Sequence, residues 1–340
     1  MTRVLSILIL ISYSSLLTAQ VENLSLLADS NYPLWLQTKK ARTDQTSGIA
    51  FIKSQCDVKY FFLADDIGVI QLLTIKDDTV FSINSISFSD SVQRFINELP
   101  KADFEEIIYD NSEEEFYLSI EGTGEDFKKY VGIYRIYFNG SEIENYQIAS
   151  LQKVIFTPSK NFLQYIDNNI GYEGVAIDEN YFYLGLEGFT NNRLFADSTI
   201  IFIARKSDKK IIKEISTKNI GVHTICGLFS DENFSLWGID RNNRKIFHIN
   251  FDEELNIKTI TKYDCSTAIP GYPEINYLPS FESITIDDEN NLYLVDDPWK
   301  EMFIPKQEIF DKLDNETKNN FKEYVPTIFK YKIIHTEGDK

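Results

Sequence analysis

The chain has 340 residues, of which 25% are charged and 43% are hydrophobic. Its formal net charge is −18 and its sequence pI is near 4.7. This charge disfavours binding to nucleic acid, whose phosphate backbone requires a basic surface, and it suits a soluble exported protein that attracts cations.

The first residues have the pattern of a secretory signal. Arg3 precedes an apolar stretch from Val4 to Leu17, and Thr18-Ala19 before Gln20 offers a cleavage site. Residues 1–19 are therefore predicted to be a signal peptide and residues 20–340 a single secreted or periplasmic domain. A retained N-terminal anchor is the alternative. No later segment is long and apolar enough to span a membrane.

A short motif recurs five times along the rest of the chain. Its copies begin at Ser47, Glu105, Glu173, Cys226 and Glu282, in steps of 58, 68, 53 and 56 residues. Each copy is followed by a turn and a β-rich run that ends in an acid: Asp66, Glu121, Glu187, Asp240 and Asp297. A period in this range is typical of a solenoid, a propeller or an array.

Further strand-like runs complete the repeating unit. Residues 131–138, 199–204, 245–249 and 327–333 are rich in aromatic and β-branched residues, and 211–215 supplies a fourth run in one unit. Four antiparallel strands per unit, repeated around an axis, make an all-β β-propeller. Five motif copies favour five blades, but the longer second step leaves room for a sixth, degenerate blade at about 142–157. A β-sandwich with accidental repeats is the alternative, and it does not explain the paired spacing.

A helical insertion is predicted near the C-terminus, from about Lys306 to Tyr324, with an interruption at Asp314-Asn315. It lies between two strands on the motif-bearing side. The segment therefore either covers the site as a lid or packs against the end of the barrel. Four aromatic residues are candidates for a pocket wall or for the core: Tyr172, Trp237, Tyr272 and Trp299.

The three cysteines leave two arrangements open. Cys226 and Cys265 either form a disulfide within the fourth unit, which leaves Cys56 odd, or Cys226 is a buried free thiol. No pairing of cysteine with histidine suggests nucleophilic catalysis.

The repeat places its acids at one end of the propeller. The motif opens one strand and the acid closes the next, and antiparallel neighbours bring those two points to the same edge of the sheet. If the motif strand is innermost, the first motif residues form a ring around the axis. Three carboxylates then converge in a small space: Glu105, Glu173 and Glu282.

A hard cation would relieve the repulsion within this ring. The sequence predicts that Glu105, Glu173 and Glu282 hold it, assisted by Ser47. Calcium fits best because it prefers several oxygen ligands in flexible geometry, whereas the few histidines disfavour zinc and copper. In the alternative interpretation the acids bond backbone amides and close blade edges.

The acids at the ends of the second strands are expected mostly to serve turns. Three of them, Glu121, Glu187 and Asp297, are also the candidates for a general base or for ligands of a second ion. A bound cation could polarise an ester or phosphoryl oxygen. A scaffold ion without chemistry would leave the same pattern in the sequence.

At these residues the chain resembles the propeller family named for the esterase-like activity of phytase, and the related SdiA-regulated propellers. The resemblance lies in Ser47 to Gly68, Gly171 to Glu187 and Phe281 to Asp297. The order Ser, Glu, Glu, Cys, Glu is also similar to the ring of the calcium-dependent apyrase propellers, which are five-bladed with an axial calcium. This resemblance implies that Ser47, Glu105, Glu173 and Glu282 are calcium positions, and Cys226 departs from the expected Ser or Glu.

The sequence therefore predicts an exported, calcium-binding propeller that hydrolyses a phosphoester or carboxylic ester at the motif-bearing end. A non-catalytic, calcium-stabilised propeller that binds a ligand or a surface partner is the alternative, and a lactonase-like hydrolase is a third. Arg241 is the only basic residue found beside the motifs, which weakens the phosphatase interpretation. The chain is expected to be a monomer that acts on an unidentified small or polymeric substrate.

Overall fold

A computed structural model describes residues 23–188, 197–232, 234–264, 267–298 and 303–336. The predicted signal peptide lies outside these ranges. Within them, no helix has the length and apolar character that a membrane crossing requires. The strands form five antiparallel sheets of four strands each, together with a few short additional strands.

The N-terminal segment and the first two blades contain eleven strands, two α-helices and a 3-10 helix (Ile143–Asn145). The N-terminal strands are β1 (Asn23–Ala28) and β2 (Leu34–Trp35). The first blade comprises β3 (Thr46–Gln55), β4 (Val58–Asp65), β5 (Val69–Lys76) and β6 (Thr79–Ser85). The second blade and its connections comprise β7 (Ser87–Phe88), α1 (Asp90–Glu98), β8 (Phe104–Asp110), β9 (Glu115–Ile120), α2 (Phe127–Tyr130), β10 (Gly132–Asn139) and β11 (Gln147–Lys153).

The remaining three blades follow in chain order. The third contains α3 (Ser159–Phe162), β12 (Gly174–Ile177), β13 (Tyr181–Gly185), β14 (Ile200–Arg205) and β15 (Ile211–Ser216). The fourth contains β16 (Leu228–Glu232), β17 (Ser235–Asp240), β18 (Lys245–Phe251) and β19 (Ile257–Asp264). After the hairpin β20 (Ala268–Ile269) and β21 (Tyr272–Asn276), the fifth contains β22 (Phe281–Ile286), β23 (Asn291–Asp296), α4 (Gln307–Phe310), α5 (Asn315–Lys322) and β24 (Thr327–Thr336).

The strands that carry the motif are innermost, as predicted. Each of β3, β8, β12, β16 and β22 is the first strand of its sheet and contacts the motif strands of both neighbouring blades. These contacts close a circle of five, which confirms the five-bladed propeller. The sixth blade considered at 142–157 is wrong, because β11 lies there as the fourth strand of the second blade.

Glycine at the second motif position allows the motif strands to approach one another closely. A Cβ atom on Gly227 would lie 2.7 Å from the carbonyl oxygen of Glu282, and one on Gly48 would lie 2.7 Å from the amide nitrogen of Ile107. Real side chains do not tolerate such distances to backbone. Glycine at these two positions is therefore a condition for β16 to approach β22 and for β3 to approach β8 this closely.

The N-terminal strand closes the ring. β1 pairs antiparallel with β24 as the outer strand of the fifth blade, from Asn23 opposite Thr336 to Ala28 opposite Tyr331. Between the first and fifth blades, Ile49 N donates to Ser283 Oγ (2.9 Å) and Phe51 N donates to Thr285 Oγ1 (3.0 Å). The first and last strands of the described residues are thus held in one sheet, a closure that was not predicted from the sequence.

The C-terminal insertion has the interruption that was predicted. Asp314 accepts a hydrogen bond from Thr317 N (2.8 Å) and caps α5, which separates α5 from α4. Leu313 and Phe321 are buried in the core of the fifth blade, and Phe321 lies edge-on against Trp35 with ring centroids 5.1 Å apart. These contacts agree with packing against the propeller rather than with a lid.

Of the four aromatic candidates for a pocket wall, two lie in the core. Tyr172 and Trp237 are each 1% exposed, and the Tyr172 hydroxyl donates to the carbonyl of Phe162 (2.8 Å). Tyr272 donates to Asp314 and so ties the β20–β21 hairpin to α5. Trp299 lies outside the described residues.

The connections that carry α1 to α5 all lie at the end of the propeller where the motif strands begin. They either precede a motif strand or join the second and third strands of a blade. We call this end the mouth. The opposite end has mostly short hairpin turns, so the longer connections are concentrated at the mouth.

Candidate functional site

Among the residues that the structure describes, eight carboxylates and two cationic side chains surround the axis at the mouth. We call these eight the acidic cluster: Asp66, Asp103, Glu105, Glu121, Glu173, Glu187, Glu282 and Asp297. The two cations are Lys101 and Arg241. The prediction that acids of successive repeats converge at one end of the propeller therefore agrees with the structure.

β-Bulges turn the first motif residue out of the regular pairing. The register of β3 shifts between Thr46 and Gly48, and that of β22 shifts between Phe281 and Ser283, so Ser47 and Glu282 lie at the irregularities. β8 has a wider shift that includes both Glu105 and Glu106. A bulge re-aims a side chain and ends regular pairing, which allows Glu105 and Glu282 to lie among the charged side chains of the neighbouring blades.

Arg241 is the central cation of one half of the cluster. Its Nη1 lies 2.5 Å from Glu282 Oε2, and its Nη2 lies 2.9 Å from Glu187 Oε1 and 3.9 Å from Glu173 Oε2. Glu282 also accepts a hydrogen bond from Ser280 Oγ (3.0 Å). Both oxygens of Glu282 are therefore already engaged by side chains of the protein.

The turn after β17 holds Arg241 in place. The preceding residue, Asp240, is fully buried and accepts hydrogen bonds from His223 N (3.0 Å) and Asn243 Nδ2 (2.7 Å). Asp240 thus serves a turn, as was expected for most of the strand-end acids. Because Asp240 is held in place, the backbone of the next residue, Arg241, is also fixed, and the Arg241 side chain extends toward the axis from a defined position.

Lys101 is the cation of the other half of the cluster. It forms an ion pair with Asp103 and lies 3.1 Å from Asp66 Oδ2. Burial opposes the protonated form, but the hydrogen bond and charge of Asp103 outweigh it and raise the pKa of Lys101. About 45% of the Lys101 side chain is exposed, so this ammonium also faces solvent.

The acids between these two cations have too little positive charge beside them to balance their own negative charge. One ligand atom each of Asp103, Glu105 and Glu121 lie within 4.8 Å of one another, and so do those of Glu121, Glu173 and Glu187. Glu121 is 2% exposed, and its Oε1 has no hydrogen-bond partner among the described residues. Burial first, and then the charges of the neighbouring acids, raise the pKa values of Glu105, Glu121 and Glu173 well above the usual range. Glu105 and Glu121, which form no ion pair with a described residue, therefore need protons or a further cation, whereas Glu173 lies 3.9 Å from Arg241.

Cys226 stands in the ring where the other blades have Ser or Glu. It is a buried free thiol, and burial raises its pKa well above the usual value despite the nearby Arg241. Its possible disulfide partner, Cys265, lies outside the described residues. The Cys226 sulfur lies within 4.8 Å of oxygens of Glu173 and Glu282, but Arg241 already contacts both of those acids.

Of the predicted metal ligands, Glu105 and Glu173 border the region where positive charge is insufficient. Glu282 and Ser47 do not, because Glu282 is bound to Arg241 and the Ser47 hydroxyl lies 3.4 Å from the carbonyl of Gln45. The structure adds Asp103, two residues before the motif glutamate of the second blade. Its carboxylate is fully buried. Asp103 was not predicted from the sequence, because it lies outside the repeated motif.

The three predicted catalytic acids have different surroundings. Glu187 is the most accessible, with 27% of its side chain exposed, and it is held by Arg241. Glu121 is buried among other acids. Asp297 is 5% exposed, and burial together with the charge of Glu282 raises its pKa to about 9. At neutral pH Asp297 therefore carries a proton and is suited to donate it.

Comparisons with known proteins do not assign a family. No protein-family model matches the sequence, and no curated protein matches it significantly. The resemblance to phytase-like and apyrase propellers therefore stays a prediction.

Solved structures with a similar chain trace include the PQQ-bound aldose sugar dehydrogenase of Streptomyces coelicolor. It is 10% identical, with a TM-score of 0.45, over 89% of this chain and 98% of that chain. A glucose dehydrogenase-type oxidoreductase of Thermus thermophilus is 7% identical, with a TM-score of 0.47, over 90% and 100%. A luciferin-regenerating enzyme is 12% identical, with a TM-score of 0.42, over 88% and 82%. Identities and scores this low support no argument about activity. Any functional assignment therefore depends on the residues of the mouth.

Proposed function

We propose that this chain is an exported hydrolase of the propeller type, which cleaves a phosphoester or carboxylic ester at the mouth with the help of a bound calcium ion. The observation that supports the proposal is the excess of buried carboxylates over cations there. Like charges this close cannot all be ionised without a counter-ion. The two cations of the cluster, Lys101 and Arg241, leave Glu105 and Glu121 without an ion pair among the described residues.

The donor atoms fit a hard cation. Asp103, Glu105 and Glu121 offer only carboxylate oxygens, and Glu121 Oε1 and Asp103 Oδ2 accept no hydrogen bond from the described residues. Calcium prefers such oxygen ligands and tolerates irregular geometry. Glu105 and Glu121 would hold the ion together with Asp103 Oδ2, the oxygen of Asp103 that is not paired with Lys101. The ion would supply polarisation of the substrate oxygen and a lower pKa for a bound water.

The chain's own side chains would bind substrate and move protons around this point. The Lys101 ammonium would orient an anionic oxygen of a substrate, because it is partly exposed and lies beside Asp103. Glu187 is accessible and would accept a proton from water. Asp297, protonated at neutral pH, would give a proton to the leaving oxygen.

A non-catalytic, calcium-stabilised propeller is the second candidate. The complete burial of Asp103 and the 2% exposure of Glu121 favour it, because a substrate must reach a catalytic ion. In that case calcium would raise stability without any turnover.

Calcium titration of the chelator-treated protein by calorimetry tests the site, with Glu121→Gln as the test variant and Glu98→Gln on α1 as the control. We expect at least a tenfold weaker affinity for Glu121→Gln and an unchanged affinity for the control. Hydrolysis of aryl phosphate and aryl ester substrates, with and without chelator, separates the two candidates. Calcium binding without hydrolysis would support the second candidate, and absence of calcium binding by the wild type would refute both.

A further inference from the structure

We infer that the Arg241 guanidinium takes the place of the axial cation, so that Glu173, Glu187 and Glu282 are not metal ligands in this chain. The resemblance to calcium-dependent propellers implies the opposite for Glu173 and Glu282. The inference does not depend on the proposed hydrolase, because it concerns the half of the mouth that Arg241 fills.

The first observation that supports this inference is the set of contacts that Arg241 makes. Its two terminal nitrogens contact the carboxylates of two blades, Glu173 and Glu187 from the third and Glu282 from the fifth, while the arginine itself belongs to the fourth. Two of the contacts, at 2.5 and 2.9 Å, are charge-assisted hydrogen bonds, which are about twice as strong as neutral ones. A single group thus bridges adjacent blades, as an axial metal ion would.

The second observation is that the site already contains a positive charge. A divalent ion bound to Glu173 and Glu282 would share their oxygens with a guanidinium that already lies within 4 Å of both. Two cations this close repel each other strongly in a partly buried site. The arginine cannot be neutralised by losing its proton, because guanidinium is effectively always charged in proteins.

The third observation comes from a comparison of the five repeat units. Hydrogen bonds show which residues correspond between blades. The amides of Asp66, Glu121, Glu187 and Asp297 each donate to the carbonyl two residues before the first motif residue. Asp240 corresponds to Asp65 instead, because each accepts from the amide three residues before that residue. Four units therefore have an acid at the position that follows Asp240 in the fourth. Only the fourth unit has a basic residue there, Arg241, and only that unit has the thiol Cys226 at the first motif position. The blade that contributes neither hydroxyl nor carboxylate to the ring therefore contributes a built-in cation. The two departures from the repeat are explained together.

Calcium stoichiometry and thermal unfolding of Arg241→Gln test this inference. We expect the variant to bind one calcium ion more than the wild type and to melt at least 5 °C lower in chelator, with most of the loss restored by millimolar calcium. The double variant Arg241→Gln with Glu282→Gln should lose that restoration. A folded Arg241→Gln protein with unchanged calcium stoichiometry and no thermal response to calcium would overturn the inference.

Glu282→Gln in the wild-type background decides the matter even if Arg241→Gln does not fold. Because Glu282 is bound to arginine rather than metal, this variant should keep the calcium stoichiometry and affinity of the wild type. Loss of calcium binding in Glu282→Gln would show that Glu282 is a metal ligand. A wild type that binds no calcium would refute the proposed function, whereas a gain of binding in Arg241→Gln would still support the inference.

Discussion

Ser283 of the fifth blade donates a hydrogen bond across the axis to Glu106 of the second blade, with 2.5 Å between Oγ and Oε1. The other four second motif residues are small: Gly48, Gly174, Gly227 and Ser283. Glu106 is 1% exposed, so its side chain occupies the space that these residues leave. Burial raises the pKa of Glu106 well above the usual range, although the Ser283 hydroxyl and nearby backbone amides oppose the shift.

Truncation of Glu106 should therefore destabilise the whole ring. We expect Glu106→Ala to lower the free energy of unfolding by about 2–4 kcal/mol, because it leaves a cavity and an unsatisfied Ser283 hydroxyl. Glu106→Gln keeps the size of a neutral carboxyl and should cost about 1 kcal/mol or less. Urea unfolding followed by circular dichroism measures both. Equal losses in the two variants would mean that Glu106 is ionised in the folded protein.

Asp296 should make stability depend on pH. It is fully buried, and burial raises its pKa to about 7 although Thr327 N (2.6 Å) and Thr327 Oγ1 (2.7 Å) donate to it. A group whose pKa is higher in the folded state stabilises most below its unfolded pKa, and this contribution is lost as the pH rises through about 7. Stability should therefore fall from pH 5 to pH 8.

The variant Asp296→Asn isolates that contribution, since other buried acids titrate in both proteins. We expect the difference in unfolding free energy between wild type and variant to change by about 2–3 kcal/mol over this pH range. Denaturant titrations at four pH values give the two curves. Parallel curves would contradict the raised pKa of Asp296.

Closure of the ring by β1 can be tested at two adjacent residues. Leu26 packs against the core of the fifth blade, whereas Leu27 is 58% exposed, since successive side chains of a strand point to opposite faces. We expect Leu26→Asp to cost about 2 kcal/mol and Leu27→Asp less than about 0.5 kcal/mol. Thermal unfolding distinguishes them. Similar small losses would show that β1 contributes little to closure.

The close approach of motif strands predicts a large effect for one added methyl group. Gly227→Ala would place Cβ 2.7 Å from the Glu282 carbonyl oxygen and 2.8 Å from Ser283 Cα, so backbone has to move. We expect a loss of about 2 kcal/mol or more. Gly188→Ala is the matched control, because no atom of the described residues lies within 4 Å of its added Cβ. A tolerant Gly227→Ala variant would show that the inner strands can separate freely.

The blade architecture could be predicted because it depends on local patterns in the sequence. Alternation within strands, turn residues and a spacing of 53 to 68 residues all repeat along the chain, and each depends only on residues close in sequence. The same logic located Glu105 and Glu173 at the mouth and the helix break at Asp314. The fourth-blade anomaly at Cys226 was also visible in the sequence.

The partners of the charged residues were decided only by the tertiary structure. Arg241 lies 41 residues from Glu282 and 54 from Glu187, and no local pattern indicates which blades meet at the axis. The pairing of Lys101 with a buried Asp103 and the position of Glu106 on the axis depend on a bulge whose width the motif does not encode. Charge compensation is a property of the assembled ring, because electrostatic energy depends on distance and burial rather than on order along the chain. The sequence by itself therefore determined the ring and the end where its acids gather, whereas the fold decided which of those acids are already neutralised.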